Sequence, residues 1–227
     1  MGIGASAGGL EAFEQFFTHM PAESSMAFVL VPHLDPTHKS ILADLLKRFT
    51  KMPVFQAEDG MKVKPGTVYI IPPNKDMSIL HGTLQLHEPV ISQGIRHPID
   101  FFFRSLAEDQ REKAVCIVLS GTGTEGTLGL KAVKGEGGLV LVQDAKTAKY
   151  DGMPASAIAT GLADYVLPAE KMPGQLLRYV RRPYSRPLTP VEKPAGKSLD
   201  LLQKIYDPGP DRTRLFPLQT EHHHAQD

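Results

Sequence analysis

The chain has 227 residues, enough for one sizeable domain and a tail, and its 25 Lys+Arg are balanced by 25 Asp+Glu. A formal net charge of +0 gives no global field that would draw nucleic acid or an anionic membrane surface. No apolar run reaches the roughly 18 residues of a membrane span, and no charged-then-apolar leader opens the chain. These features predict a soluble, cytoplasmic protein with no membrane insertion and no nucleic-acid partner.

The first informative stretch is Gly2-Ile3-Gly4-Ala5-Ser6-Ala7-Gly8-Gly9-Leu10. Within it Gly4-Ala5-Ser6-Ala7-Gly8 satisfies G-x-S-x-G, the pattern that places a serine on a sharp turn between a strand and a helix with its hydroxyl exposed. Leu10, Phe13, Phe16 and Phe17, with Glu11, Glu14 and Gln15 between them, then have the spacing of a half-buried helix. Ser6 therefore falls at a helix N-terminus, where free backbone N–H groups favour developing negative charge. Two plainer readings compete. Gly2-x-Gly4-x-x-x-Gly8 is close to a dinucleotide-binding turn, and a glycine-rich turn is often only structural.

Met26-Ala27-Phe28-Val29-Leu30-Val31 is a continuous apolar run, as expected for a strand buried on both faces. Pro32-His33-Leu34-Asp35-Pro36 follows, and then Ile41, Leu42, Leu45, Leu46 and Phe49 at helical spacing. His33 is thus predicted at the carboxyl end of a parallel-type strand, where open α/β sheets carry their sites.

Between Met52 and Pro89 the texture changes to short strands and turns, Val54-Phe55-Gln56-Ala57, Thr67-Val68-Tyr69-Ile70-Ile71, Met77-Ser78-Ile79-Leu80 and Thr83-Leu84-Gln85-Leu86. The last two, joined by His81-Gly82, read as a hairpin, and this segment predicts antiparallel strands added to an otherwise parallel sheet. His81 and His87 read as turn and strand residues, because no Cys or His partner stands at metal spacing.

A helix is predicted from Pro98 through Ala107, with the proline in its first turn. Its adjacent Phe101, Phe102 and Phe103 cannot all point one way, so the helix should be covered on more than one side. Arg96, in the loop before it, is a candidate for orienting an acidic substrate, against the simpler reading of a solvated arginine. Residues 114–120 form a buried strand in which the lone Cys116 is a small hydrophobe. That strand runs into Gly121-Thr122-Gly123-Thr124-Glu125-Gly126, a glycine-rich turn opening another helix. Glu125 is the only carboxylate in this turn. It is either a first-turn helix acid or the partner that orients His33.

A strand at 138–143, a helix at 154–160, a strand at 164–167 and a helix at 172–180 complete the pattern. Repeated strand-then-helix units argue for an α/β fold, a doubly wound, mostly parallel sheet flanked by helices with an added antiparallel hairpin. The domain is expected to span 1–182, and the Pro-rich remainder, 183–227, to be a linker and mostly disordered tail with one short helix at 198–206. His222-His223-His224 in that tail is weak evidence for a specific metal site.

Three strand ends thus offer Ser6, His33 and Glu125. Serine hydrolysis needs a nucleophile, a base to take its proton and a carboxylate to hold the base in the right tautomer. The order Ser, His, acid differs from the Ser, acid, His order of α/β-hydrolases. A dinucleotide fold would want an acidic residue after the second strand, where Pro32-His33 stands.

Gly2-Ile3-Gly4-Ala5-Ser6-Ala7-Gly8-Gly9, Pro32-His33, Val68-Tyr69-Ile70-Ile71-Pro72-Pro73, Ser120-Gly121-Thr122-Gly123-Thr124-Glu125-Gly126 and Asp151-Gly152-Met153-Pro154 together resemble the catalytic domain of CheB, the chemotaxis protein-glutamate methylesterase. The resemblance implies hydrolysis of γ-glutamyl methyl esters on the cytoplasmic helices of methylated chemoreceptors, releasing methanol, and deamidation of certain receptor glutamines. It implies Ser6 as nucleophile, His33 as general base and later acid, and Glu125 as orienting carboxylate. Backbone N–H groups near Ala7, Thr122 and Gly123 would hold the oxyanion, and no metal or organic cofactor is implied. The family usually carries aspartate where Glu125 stands and often methionine at the position of Thr122. A phosphorylated receiver domain normally precedes the family's catalytic domain and has no counterpart in these residues. That feature is similar to hybrid proteins joining a methylesterase to a receptor methyltransferase, and Ser198-Leu199-Asp200-Leu201-Leu202-Gln203-Lys204-Ile205 resembles the start of such a methyltransferase domain. The alternative is a catalytically impaired regulatory or binding module of the same fold.

Overall fold

Apolar runs of four or five residues become strands covered on both faces in the computed structural model, which describes residues 1–32, 42–89 and 96–181. His33, the predicted linker and tail, its short helix and the triple histidine lie outside the described residues. The chain forms β1 (Gly2–Ala5), α1 (Gly9–Thr18), β2 (Phe28–Pro32), α2 (Leu42–Leu46), β3 (Val54–Gln56), β4 (Val68–Ile70), β5 (Asp76–Leu80) and β6 (Thr83–His87). It continues through α3 (Pro98–Gln110), β7 (Val115–Val118), α4 (Thr127–Gly135), β8 (Leu139–Gln143), α5 (Gly152–Ala159), β9 (Tyr165–Leu167) and α6 (Met172–Arg181).

Seven of these strands make one parallel sheet in the order β3-β4-β2-β1-β7-β8-β9. The chain builds outward from β1 in one direction through β2 and in the other through β7. β1 and β7 therefore flank the switch point, where open α/β sheets leave a crevice beyond their carboxyl ends.

Alternating residues of each strand feed two apolar cores, one per face. Ile3, Ala5, Phe28, Leu30, Ile117 and Leu141 lie with α1 and α6, whereas Val29, Val31, Cys116, Val118, Val140 and Val142 lie with α3, α4 and α5. On the first face Phe16, Phe17 and Phe28 meet edge to face with ring centroids 5.1, 5.8 and 5.6 Å apart, the geometry aromatic quadrupoles favour. Full burial of such rings contributes roughly 2 kcal/mol each, which pins α1 to the sheet and fixes the turn preceding it. On the second face Phe102 and Phe103 are fully buried, whereas Phe101 is exposed with its ring edge to face against His87; α3 packs against β1, α4 and β5 and is thus covered on more than one side, as expected.

β5 and β6 are the predicted hairpin, joined by His81-Gly82 with φ of 50° and 70°, the two positive values of a type I′ turn. This hairpin forms its own two-stranded sheet. The rest of the 52–89 segment differs from expectation, because β3 and β4 run parallel within the main sheet. The connection between them is long enough for a crossover, and Val68, Tyr69 and Ile70 are buried as a parallel strand requires.

Candidate active site

Ser6 directly follows β1, partly buried, and the chain reverses at once. The Gly9 N–H donates to the Ser6 carbonyl at 2.9 Å, closing a four-residue turn whose third residue, Gly8, has φ 73° and ψ 3°. Those angles define a type II turn, a conformation that glycine adopts without a Cβ penalty. A side chain on Gly8 would also strike Ser120 Oγ at 2.6 Å and Lys149 Cβ at 2.9 Å.

Two neighbouring strands flank this turn. In the β1–β2 ladder Ala5 and Pro32, the residues preceding Ser6 and His33 in the chain, are register partners. On the other side the Leu119 N–H donates to the Gly4 carbonyl and the Ser6 N–H to the Ser120 carbonyl, both at 2.9 Å. The glycine-rich turn after β7 is thereby laid beside Ser6. A Cβ on Gly121 would come within 3.0 Å of Ser6 Cβ and 2.2 Å of Met153 Sδ, so the turn can lie this close only without a side chain there. Hydrogen bonds from the Gly121 N–H to the Tyr150 carbonyl (3.0 Å) and from the Met153 N–H to the Gly121 carbonyl (2.8 Å) hold it from behind. Thr122 and Gly123 are exposed. Among the described residues, the N–H groups of Ala7, Gly8, Thr122 and Gly123 make no hydrogen bond.

Glu125 is buried, and its Oε1 accepts the Ile99 N–H in the first turn of α3 at 2.7 Å. It thus ties its turn to a neighbouring helix. Asp100 of α3 reciprocates by accepting the Gly129 N–H in the first turn of α4 at 2.6 Å. Burial pushes the Glu125 carboxyl up to about 7, and the negative charges of Asp100 and Asp76 push the same way, against the Ile99 hydrogen bond and the Arg96 charge. Burial likewise raises Asp100 above the usual carboxylate range, opposed mainly by its bond to Gly129.

Arg96 Nη2 donates to Asp76 Oδ1 at 3.1 Å and to the Lys75 carbonyl at 2.9 Å. Asp76 is only 4 % exposed, so the guanidinium serves first as counter-charge to a buried carboxylate. Sequence reasoning missed Asp76, Asp100, Ser120 and Gln143. Asp100 has a local signal, a carboxylate two residues after the Pro98 that opens a helix. Asp76 and Arg96 meet only through tertiary structure. Cys116 is fully buried in β7, and burial pushes its thiol well above the usual range. Among the described residues no group of His, Cys, Asp and Glu side chains is arranged to hold a metal ion.

A family model described as CheB methylesterase matches residues 1–176. The protein-glutamate methylesterase/protein-glutamine glutaminase of Thermotoga maritima is 35% identical over 182 residues, covering 78% of this chain and 53% of that protein. A Burkholderia lata protein of the same description, numbered 2, is 35% identical over 182 residues, covering 80% of this chain and 54% of its own length. A Rhodobacter capsulatus protein, described as an uncharacterized 104.1 kDa protein in the hypE 3' region, is 44% identical over 156 residues, 68% of this chain but 16% of that protein. The chain therefore spans about half the length of the methylesterase relatives. The crystal structure of the Thermotoga maritima CheB methylesterase catalytic domain superposes with a TM-score of 0.73 at 34% identity, covering 78% of this chain and 96% of that one.

Proposed function

The chain belongs to the CheB methylesterase family, and from that premise we propose that it hydrolyses γ-glutamyl methyl esters of chemoreceptors, with Ser6 as nucleophile, His33 as general base and Glu125 as the carboxylate that orients the imidazole. The observation that carries this reading is the position of Ser6, on a tight turn at the carboxyl end of β1 and beside the Gly121 turn at the sheet's switch point. The Ala5–Pro32 register supports it, since the sequence places His33 immediately after Pro32.

In this mechanism Ser6 Oγ attacks the ester carbonyl as its proton passes to His33. The oxyanion is held by N–H groups of Ala7 and of the Thr122–Gly123 turn, and preorganised donors of this kind contribute roughly 3 kcal/mol each. Methanol leaves with the proton from His33. Water, deprotonated by the same imidazole, then cleaves the acyl-serine to glutamate. Attack on a receptor glutamine releases ammonia by the same steps, which accounts for a glutaminase activity. Arg96, beside Asp76 and Glu125, contributes positive charge for an acidic substrate segment. Within this reading residues 1–182 carry catalysis in the cytoplasm and 183–227 form a linker and tail. Among the described residues no helix is long and apolar enough to cross a membrane. The partners are the methylated cytoplasmic helices of a receptor and a receptor methyltransferase domain.

The test is methanol release from a methylated receptor fragment. Wild type should release it, and Ser6→Ala should lose at least about a thousandfold in rate while its circular dichroism is unchanged. Equal release by Ser6→Ala would overturn the assignment.

A further inference from the structure

We propose that Ser120 is a positioning residue for Ser6, its hydroxyl holding the Ala7–Gly8 peptide in the orientation that the nucleophile's turn requires. The proposal rests on the reading of Ser6 as nucleophile. Type I and type II turns differ by a flip of their central peptide, which exchanges the places of its C=O and N–H. Between Ser6 and Gly9 that central peptide joins Ala7 to Gly8, and Gly8 is permissive enough not to choose between the two forms by itself. The choice is made from across the sheet. Ser120 Oγ donates to the Ala7 carbonyl at 2.9 Å and accepts the Tyr150 N–H at 3.0 Å. Accepting from Tyr150 directs the hydroxyl proton toward the carbonyls, of which Ala7 at 2.9 Å is nearer than Tyr150 at 3.3 Å.

Ser120 is itself immobilised. It is 1 % exposed, so water does not compete for its hydroxyl. Its N–H donates to Gln143 Oε1 at 2.9 Å, and the equally buried Gln143 donates from Nε2 to the Thr147 carbonyl at 3.2 Å. Its carbonyl accepts the Ser6 N–H. One residue thus holds the nucleophile's turn at two points, the entry peptide and the central peptide, and is anchored on β8. With the Ala7 carbonyl turned to Ser120, the opposite edge of that peptide plane presents the Gly8 N–H, a donor, in place of a carbonyl. Losing the hydroxyl leaves the flip free, and misplacement of the reacting group by about 1 Å is enough to slow a reaction by roughly a hundredfold.

The experiment measures phosphonylation of the full chain by a fluorophosphonate probe, which reads the reactivity of the serine without needing the receptor. Ser120→Ala should lower the maximal labelling rate about 10- to 100-fold with the probe's half-saturating concentration unchanged within about twofold, and Ser120→Thr, which keeps the hydroxyl, should recover most of it. A role in stability alone would lower Tm and leave the labelling rate intact well below Tm. Labelling of folded Ser120→Ala at the wild-type rate, or equal losses in the Ala and Thr variants, overturns the proposal. If Ser120→Ala does not fold, Ser120→Cys, close in shape and a weak donor, carries the test. Slowed labelling supports the proposal, and wild-type labelling overturns it. Ser6→Ala is the separate control. Its unlabelled state keeps the nucleophile reading while the Ser120 variants decide the inference, and its labelling at the wild-type rate removes that reading whatever those variants do.

Discussion

Glu125 Oε1 accepts the Ile99 N–H at 2.7 Å, so the acid of the glycine-rich turn closes the first turn of α3 while Asp100 of α3 closes the first turn of α4. Each helix N-terminus is served by a carboxylate from the other's neighbourhood, which satisfies orphan N–H groups and complements both dipoles. The exchange also brings two buried carboxylates close together. For Glu125 the cost of burial exceeds the gain from the N–H, and its carboxyl titrates near 7. The carboxylate proposed to orient the imidazole is therefore also the one that closes the first turn of α3.

Glu125 binds its proton more tightly folded than unfolded, at about 7 against an ordinary 4.5. Its contribution to stability is accordingly full below pH 4.5 and is lost as pH rises through 7, a difference of about 3 kcal/mol. Glu125→Gln keeps an acceptor for the Ile99 N–H and carries no charge. The variant should match wild type in thermal denaturation at pH 4 and melt several degrees higher at pH 8, while losing about 10²- to 10⁴-fold in hydrolysis. An offset independent of pH would contradict this.

In the proposed mechanism the charged form of Glu125 orients the imidazole, so hydrolysis should rise with pH through about 7. Asp100 raises that value and Arg96 lowers it. Asp100→Asn should therefore move the acid limb of the rate profile to lower pH, and Arg96→Met should move it to higher pH. Rate profiles of the two variants over pH 5–9 would show the limbs displaced in opposite directions, and a common direction would remove Glu125 as the group that sets them.

The parts of this fold written in local patterns were legible in the sequence. Phe28-Val29-Leu30-Val31 announces a doubly buried strand, His81-Gly82 a hairpin, and G-x-S-x-G the turn at Ser6. The direction of β3 and β4 was not legible, because pairing is decided by the crossover path and short apolar strands read alike either way. The supports of the site were hidden for a related reason. Asp76 meets Arg96, and Ser120 meets Ala7 and Tyr150, across long chain separations, and polar contacts of that kind leave no periodic trace. Glu125 was visible as a lone carboxylate, but its bond to Ile99 was not.

Asp109, near the end of α3, accepts hydrogen bonds from the His81 and Gly82 N–H groups, fastening the hairpin turn to the helix. Asp109→Ala should cost about 1–2 kcal/mol, a drop of several degrees in Tm, because both turn donors lose a charged acceptor. Fluorophosphonate labelling of Ser6 measured well below Tm should be unchanged. A large loss of labelling in a folded variant would tie the hairpin to the site.

Gly121 separates space from chemistry at Ser6, the proposed nucleophile. A Cβ there meets Met153 Sδ at 2.2 Å and Ser6 Cβ at 3.0 Å. The φ of Gly121 is not positive, so alanine brings steric overlap without backbone strain. The methionine is flexible and can withdraw into a new rotamer, with an over-packing cost of about 1–3 kcal/mol. Ser6 has no such freedom, because its N–H is held by the Ser120 carbonyl and its own carbonyl by the Gly9 N–H. Gly121→Ala should therefore stay folded with a lowered Tm, and its labelling by a fluorophosphonate should slow by about tenfold or more, since the added methyl displaces the serine from its attacking position. Wild-type labelling in this variant would remove Gly121 as a packing constraint on the position of Ser6.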